Sequence, residues 1–460
     1  MKKKLLYVGA VVLIPLLSFS NYLFAVGSSG IENASFSAKS LGQSNAVVAQ
    51  ADEPAAISYN PAGIVHLPGL QVQPSVHFLS ILTWFTSRTP GTVPGEKSSP
   101  TVVPVPTGYM TLNPGHLLDD RVAFGIGSDS PFGLINKYDA DHPIVRYAGW
   151  RNWFNMYTVK PVVAFKITDW LSVGGGPMWY HVYDWGGIQA YPNVLVGAGA
   201  DGQIRLNLSG SHWGWQMGVL AKPHKQHQFG FYFRSPVVVN TSGLTKVERG
   251  AAGTNFETGV DAKYSLPLNF TWAYAFKPIE RTTIEFDFGY TRWSTFERLF
   301  INHNATGVSA ADNAVINAIA FNSKDFRDSY SLHLGGNHRV NDKLTLLLGW
   351  LFYTHAAPNS SFIPAIPDAN RVGYSAGFSY KVHKNIVFDA MYFNMWSLRR
   401  NINNDVGAAL GVSEDGDFTT YTQELTVSFT YHWDNLFSRL KKNGAKSVEP
   451  GVNIQTEKPV

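Results

Sequence analysis

Apolar and polar residues alternate with a period of two in segment after segment of the chain from about residue 69 onward. In "TTIEFDFGYTRW", every second residue from Ile284 to Tyr290 is apolar, and the residues between them are polar or small. The segment "ELTVSFTYHW" near residue 433 follows the same rule. A period of two with one apolar face is typical of a β-strand that separates an apolar from a polar environment.

The same pattern predicts fourteen strands. They are expected at 69–85, 104–112, 120–130, 153–168, 170–184, 211–222, 226–238, 262–278, 281–293, 326–340, 343–355, 371–382, 385–399 and 420–433.

The connections between these strands alternate between long and short. Long ones include "TSRTPGTVPGEKSSPTVV" and the stretches 185–210 and 294–325, whereas "TDW", "PHKQ", "KPIE", "VNDK" and "HKN" are short. Short turns at one end and long loops at the other are typical of an outer-membrane barrel. The predicted fold class is therefore all-β, a 14-stranded antiparallel transmembrane β-barrel. A soluble β-sandwich is the alternative, but it would not need this alternation of loop lengths.

A transmembrane barrel also predicts where the charged residues of the strands point. Lys160, Glu285 and Asp287 lie on the polar faces of predicted strands, opposite the apolar rows. We expect them to face inward, because a Lys or Arg at the lipid midplane costs about 2–4 kcal/mol.

The chain ends add three further segments. "MKKKLLYVGAVVLIPLLSFSNYLFA" has a basic start and a short apolar core, which predicts a secretory signal peptide over 1–25; a membrane anchor helix is the alternative. Residues 26–68 precede the first strand and are expected to form a small hatch (plug) inside the barrel, whose wall spans 69–433. Residues 434–460 are expected to be a periplasmic tail with a composition typical of disorder.

Composition agrees with an exported barrel and excludes several classes. Only 15% of residues are charged while 14% are aromatic, and mean hydropathy is −0.08, as expected where lipid-facing residues alternate with polar ones. There is no cysteine, which excludes thiolate metal sites and thiol catalysis. A net charge of +4 gives no reason to expect nucleic acid as a partner.

The hatch segment carries the turn "SYNPAG". Asp52 is expected to cap a short helix that Pro54 begins, and this helix must end before Asn60 because Pro61 disfavours helix at that residue. The side chain of Asn60 is then expected to bond nearby backbone.

Several ordered segments resemble the FadL family of outer-membrane transporters for long-chain fatty acids and other hydrophobic compounds. "SLGQSNAVVAQADEPAAISYNPAGI" resembles the family's hatch, with Asn60, Pro61 and Ala62 as its most recognisable tripeptide. "VAFGIGSDSPFGL" is similar to its third strand. The segments "HWGWQMGVLAKP", "GFYFRSPV", "YTRWSTFERL", "FRDSYSLHLGGNHRVNDKLTLLLGW" and "IPDANRVGYSAGFSYKV" resemble later strands.

The resemblance implies a hatch-closed monomeric barrel in the bacterial outer membrane. It implies passive uptake, in which external loops capture a fatty acid or other hydrophobic molecule and release it sideways near the third strand. The expected partners are this substrate, outer-membrane lipid or lipopolysaccharide, and the barrel-assembly machinery, for which Trp433 is the candidate signal. Fatty acid and aromatic hydrocarbon both remain open as substrates.

The third strand contains a cluster of residues that weaken a ladder. The candidates for a lateral opening are Gly125, Gly127, Pro131, Phe132 and Gly133. Pro lacks a ladder donor, and Gly permits a bulge or bend. The alternative is that the strand merely ends here.

A fatty-acid carboxylate in an apolar lumen needs a cation or several N–H donors. The candidates are Lys160, Arg234, Arg292 and Arg298. The alternative for each is an ion pair with a neighbouring Asp or Glu.

Two loop stretches, "GLINKYDADHPIVRYAGWRNWF" and "YDWGGIQAYPNVLVGAG", are apolar enough to form a catching groove. Their Trp residues fit an interfacial girdle equally well.

Other functions find less support. There is no G-x-S-x-G or H-E-x-x-H motif, and "GGGP" at 174–177 lacks the setting of a phosphate loop, so we expect no enzyme, cofactor or metal site. A general diffusion porin is the main alternative, although it would not need a hatch.

Overall fold

In the computed structural model, one antiparallel sheet closes on itself. The structure describes residues 30–88, 96–99, 101–192, 201–248, 255–296, 299–304, 316, 325–404, 413 and 415–433. Within these ranges the strands are β1 (Gly69–Ser87), β2 (Glu96–Lys97), β3 (Thr101–Asn113), β4 (Val122–Asp129), β5 (Leu134–Lys137), β6 (Arg151–Lys166), β7 (Leu171–Tyr191), β8 (Gly202–His224), β9 (His227–Arg234), β10 (Val237–Glu248), β11 (Phe256–Leu266), β12 (Asn269–Ile279), β13 (Thr282–Thr291), β14 (Phe300–His303), β15 (Ser329–Arg339), β16 (Leu344–Tyr353), β17 (Arg371–His383), β18 (Ile386–Ser397), β19 (Arg400–Ile402) and β20 (Gly416–Trp433).

These strands occupy fourteen positions around a barrel, which confirms the predicted fold class. Six positions consist of two successive strands: β2 and β3, β4 and β5, β9 and β10, β11 and β12, β13 and β14, β18 and β19. The last strand closes the wall, since β20 pairs with β1 from Trp433 opposite Leu70 to Gly416 opposite Ser87.

The strands on one side are longer than predicted. The stretch 185–210, predicted as a loop, is mostly strand, because β7 continues to Tyr191 and β8 begins at Gly202. Apolar and polar residues still alternate over 203–208 in β8, whereas Gly186 and Gly187 interrupt the pattern in β7, and glycine weakens a strand. We call this the long-loop end of the barrel and the opposite end the short-turn end.

The two faces of the wall have the expected character. Large apolar side chains such as Phe286, Trp272 and Leu348 are exposed outward. Glu285 and Asp287 are 0% exposed and Lys160 is 1% exposed, so the prediction that these charges face inward is confirmed.

Residues 30–68, the described part of the hatch, are largely buried inside this wall. They contain the α-helix α1 (Ala38–Leu41), which Ser37 caps through the amide of Ser40, and two 3-10 helices, Pro54–Ser58 and Pro61–His66. The remaining short helices are α2 (Val145–Gly149) and the 3-10 turns Gly115–Leu118, Trp293–Thr295 and Asn359–Ser361.

One local prediction in the hatch is wrong. Pro54 does begin a helical turn, but Glu53 precedes it and no side chain caps it. Asp52 instead pairs with the Lys39 ammonium at 2.8 Å, because a lysine of α1 lies within reach.

Among the described residues, no helix is both long enough and apolar enough to cross a membrane. The predicted signal peptide, residues 26–29 of the hatch, the predicted tail and Arg298 lie outside the described residues.

Candidate functional site

The Asn-Pro-Ala turn joins the hatch to the wall. The amide nitrogen of fully buried Asn60 donates to the carbonyl oxygens of Val48, at 2.7 Å, and Val219 of β8, at 3.0 Å. Its amide oxygen accepts from the backbone N–H of Ala62 at 3.2 Å, as the sequence predicted. The side chain therefore fixes the turn, a second hatch segment and the wall together.

Wall glycines make room for this turn. A Cβ at residue 218 would lie 2.1 Å from the Asn60 amide oxygen, and one at residue 174 would lie 2.7 Å from the Pro61 carbonyl group. The close approach of the turn to β7 and β8 thus requires glycine at Gly174 and Gly218. Sequence reasoning noticed the "GGGP" run of β7 but not its contact with the hatch.

Two wall carboxylates hold a second part of the hatch. Glu285 accepts backbone N–H bonds from Ala49, at 2.6 Å, and from residue 50, at 3.1 Å. Asp287 accepts from the N–H groups of residues 47 and 48, both at 3.3 Å. Four successive amides therefore point at two carboxylates of β13. The sequence placed these carboxylates in the lumen but offered no sign of their partners.

The wall is incomplete between β3 and β4. These strands pair only from Gly108 opposite Ser128 to Leu112 opposite Phe124. From the pair of Gly108 and Ser128 toward the long-loop end, within the described residues, β3 pairs with β1 alone, and β5 pairs with β6 alone. We call this gap the window. Pro104 and Pro106 lie on the β3 edge, and their two-residue spacing removes two N–H donors from the same side of the strand.

At the window the third strand turns inward and pairs with the hatch. The N–H of Asn33 donates to the carbonyl of Pro131, and the N–H of Gly133 donates to that of Ile31, both at 2.8 Å. Phe132 between them is fully buried, edge-on to Trp293. Residues 31–33 of the hatch therefore stand where the next wall strand would be expected.

Gly125 and Gly127 lie lower, where β4 still pairs with β3. A Cβ at residue 127 would lie 2.6 Å from the Tyr109 ring and 2.9 Å from Ile57. A bulky residue there would push on the hatch instead of filling the window. The structure thus brings Pro131, Phe132 and Gly133 together at the kink and leaves the two glycines beneath it.

Lys160 is fixed just below the kink. Its ammonium contacts the carboxylate of Asp129 at 2.6 Å and the hydroxyl of Ser58 at 3.0 Å. The hydroxyl of Tyr109 also donates to Asp129, at 3.1 Å. Lys160 therefore joins the end of β4 to the hatch, and its contacts match the ion-pair alternative.

Arg234 is the candidate cation next to the kink. Its guanidinium contacts Glu32 of the hatch at 2.6 Å and lies 4.7 Å from the centre of the Phe132 ring. It lines a polar cavity of about 70 Å³ together with Asn33, Asn269, Thr271, Thr291 and Ser329. Arg292, by contrast, is exposed beyond the end of β13.

A separate apolar cavity of about 120 Å³ lies toward the long-loop end. Its lining includes Ile31, Leu134, Phe154, Trp185 and Ile188, and no Lys or Arg is among its described lining residues. All of these except Ile31 come from the two loop stretches predicted to form a catching groove. Ile31 borders this apolar cavity while its neighbour Glu32 borders the polar one.

Several hatch residues have shifted pKa values, among them Glu53 and His66. Burial raises the pKa of Glu53, although hydroxyl and amide donors from Ser37 and Gln73 oppose the rise. Burial lowers the pKa of His66 to about 4, and nearby Lys222 adds to the effect. His66 is therefore neutral at neutral pH, consistent with its contact to the hydroxyl of Ser172 at 3.3 Å.

Comparison with known proteins agrees with this architecture. A family model described as outer membrane protein transport protein (OMPP1/FadL/TodX) matches residues 23–433. The chain is 27% identical over 230 residues to a long-chain fatty acid transport protein of Escherichia coli, covering 45% of this chain and 48% of that relative.

Two solved structures share the fold. A FadL homologue of Pseudomonas aeruginosa superposes with a TM-score of 0.73 at 17% identity, covering 88% of this chain and 99% of that one. The Pseudomonas putida toluene transporter TodX superposes with a TM-score of 0.64 at 14% identity, covering 86% and 98%.

Proposed function

The chain belongs to the outer membrane protein transport protein family (OMPP1/FadL/TodX), and from that premise we propose that it takes up hydrophobic molecules passively and releases them sideways. A molecule enters the apolar cavity from the long-loop end. It then passes the hatch segment 31–33 and leaves through the window into the bilayer. The protein is an outer-membrane transporter for hydrophobic compounds; the route, the substrate and the residues that bind it are the proposal.

The window carries this proposal. A lipid-facing sheet must satisfy its backbone groups, because each unsatisfied group costs several kcal/mol in lipid. The hatch satisfies the carbonyl of Pro131 and the N–H of Gly133 in place of β3. A segment of the hatch, and not a strand of the wall, thus covers the gap between β3 and β4.

Sideways release suits an apolar cargo. An acyl chain gains roughly 0.8 kcal/mol for each CH₂ that it buries, and an aqueous pore would forfeit that energy. A path from an apolar cavity directly to the bilayer keeps the chain out of water.

We propose Arg234 as the site for a carboxylate head group. Glu32 already places a carboxylate on this guanidinium at 2.6 Å, so an incoming carboxylate would take the same position. Removing one partner of a buried ion pair costs about 3–5 kcal/mol, so an exchange of carboxylates is far cheaper than leaving Arg234 unpaired. Release of Glu32 would free the hatch segment that covers the kink.

The apolar cavity itself leaves the substrate open. Because no Lys or Arg is among its described lining residues, it accepts an uncharged ring as readily as a tail; a 150 Å³ apolar cavity of another protein binds benzene. One relative is named for long-chain fatty acids and one structural neighbour for toluene.

Uptake of oleate and of toluene tests the proposal. A strain that lacks its own transporter is complemented with this chain, and uptake of each labelled compound is measured. Oleate transport that is lost in the Glu32→Gln, Arg234→Gln double variant, with toluene transport retained, would support Arg234. Uptake of neither compound by the wild-type chain would refute the function.

A general diffusion porin is the second candidate. Single-channel conductance in a planar bilayer, with and without deletion of residues 26–68, separates the two. A large conductance of the intact chain favours a porin, whereas a conductance that appears only after the deletion favours a hatch-closed transporter.

A further inference from the structure

The backbone ladder is broken at a second place, between β6 and β7. Pairing stops after Val159 opposite Trp179 and resumes four residues later in the same register. That register sets Pro161 directly opposite Pro177. Two in-strand prolines therefore face each other across one strand boundary.

The chemistry of proline accounts for the break. In an antiparallel ladder, residues that face each other in a hydrogen-bonded pair exchange two N–H···O bonds. Proline has no N–H, so a pair made of Pro161 and Pro177 loses both. The pairing is absent at the three registers 160–162, as expected where one such pair is missing.

This break faces lipid. Pro161 and Pro177 are exposed on the outer wall. On the neighbouring strands they pair with Ile126 and Trp215, which are 41% and 49% exposed. The carbonyl groups of Pro161 and Pro177 therefore have no N–H donor across this strand boundary, and the side chains around them form an apolar row that faces lipid.

The neighbouring glycine fits this arrangement. A Cβ at residue 176 would lie 2.0 Å from the carbonyl oxygen of Pro161. Only Gly176 therefore allows the two strands to remain this close without their hydrogen bonds. The "GGGP" run of β7, which has no role in a phosphate loop, serves this contact in addition to the hatch contact of Gly174.

The break borders the same part of the wall as the window. Strands β4 and β6 pair along residues 122–129, and β4 is joined to β3 by five residue pairs only. The β4–β6 ribbon therefore has a short attachment on one side and an interrupted ladder on the other. On its inner face, Lys160 connects it to Asp129 and to the hatch at Ser58.

We propose that Pro161 and Pro177 form a hinge line, at which the β4–β6 ribbon bends to widen the window as a molecule leaves. The two prolines are positioning residues for release, since they touch neither cavity. The proposal rests on the sideways release described above.

The double variant Pro161→Ala, Pro177→Ala restores both donors and tests the hinge. We expect hydrophobic uptake to fall by about tenfold, which corresponds to ~1.4 kcal/mol, while the barrel unfolds at a higher temperature. Pro74→Ala is the matched control, because Pro74 is also exposed in a strand and lies where β1 and β20 skip two pairs. This control should leave uptake unchanged.

Hydrogen exchange supplies a readout that does not depend on transport. In the wild-type barrel, the amides of residues 159 and 163 should exchange faster than those of residues 151–157, at the long-loop end of the same strand. In the double variant, the amides of residues 159 and 163 should become protected. Equal and slow exchange in the wild-type barrel would overturn the hinge. If the double variant does not fold, the two single variants should each lose part of the uptake, and unchanged uptake in both would also overturn it.

Failure of the hinge and failure of the proposed function are distinguishable. Wild-type chains that transport nothing contradict the function. Wild-type chains that transport, together with a protected double variant that transports equally fast, contradict only the hinge.

Discussion

Replacing Asn60 by alanine is the sharpest test of the hatch. The change removes two bonds to carbonyl oxygens, of Val48 and Val219, and one bond from the Ala62 amide. Asn60 is fully buried, so water does not replace the lost partners. We expect the hatch to detach from the wall at β8 more often than in the wild-type barrel.

Only the bond to Val219 joins the hatch to the wall, whereas the other two lie within the hatch. A buried hydrogen bond contributes about 0.5–1.5 kcal/mol net. Because each 1.4 kcal/mol is a factor of ten, the population with a detached hatch should rise by roughly 2- to 12-fold. Pro61→Ala, which frees the turn without removing these bonds, should have a smaller effect.

Single-channel recording measures this population directly. The fraction of time spent in conducting states should increase in Asn60→Ala barrels. Ser37→Ala is the matched control: Ser37 is a buried hatch residue whose hydroxyl bonds Ser40 and Glu53 within the hatch. Unchanged conductance and uptake in both Asn60→Ala and Pro61→Ala would show that the tripeptide is only a turn and refute the reasoning.

Three further predictions concern the other contacts of the hatch. Glu32→Gln alone should free Arg234 and tighten oleate binding by at least about tenfold, as charge-assisted bonds contribute about 1.5–3 kcal/mol; weaker binding in a titration would contradict this. Glu285→Ala combined with Asp287→Ala should increase channel opening, since four backbone amides lose their acceptors at about 1 kcal/mol each; unchanged opening would argue against the anchor. His66 has a folded-state pKa of about 4, below its ordinary 6.5, so its neutral form stabilises the hatch above pH 6.5 and that stability is lost as the pH falls toward 4. Channel opening should therefore rise as the pH falls over this range in the wild type, and rise less in His66→Gln. Equal acid sensitivity of the two proteins would contradict the role assigned to His66.

Alternation of apolar and polar residues predicted the strand count, because lipid on one side and a polar lumen on the other impose a period of two. It also placed Glu285 and Asp287 inward for the same reason. The extended ends of β7 and β8 were missed, because Gly186 and Gly187 interrupt the alternation in β7 and only a short alternating run, 203–208, remains at the start of β8.

The contacts of the candidate site could not be predicted from the sequence, because they join residues that are far apart in the chain. Asn60 could be assigned to a turn from its neighbour Pro61, but its bond to Val219 depends on barrel closure. Asp52 was expected to cap a helix, yet Lys39 pairs with it instead. The register that sets Pro161 opposite Pro177 likewise exists only once β6 and β7 have paired.

A switchable cross-link over the window tests the central claim most directly. The chain has no cysteine, so Pro106→Cys with Ser130→Cys introduces one pair, at the second register beyond the last β3–β4 pair, Gly108 opposite Ser128. Val72→Cys with Met110→Cys is the control, because those residues already pair across β1 and β3 at a level where β3 also pairs with β4. Sideways release predicts that oxidation of the first pair stops hydrophobic uptake and reduction restores it, with the control unaffected. Full uptake through a completely cross-linked window would contradict the account.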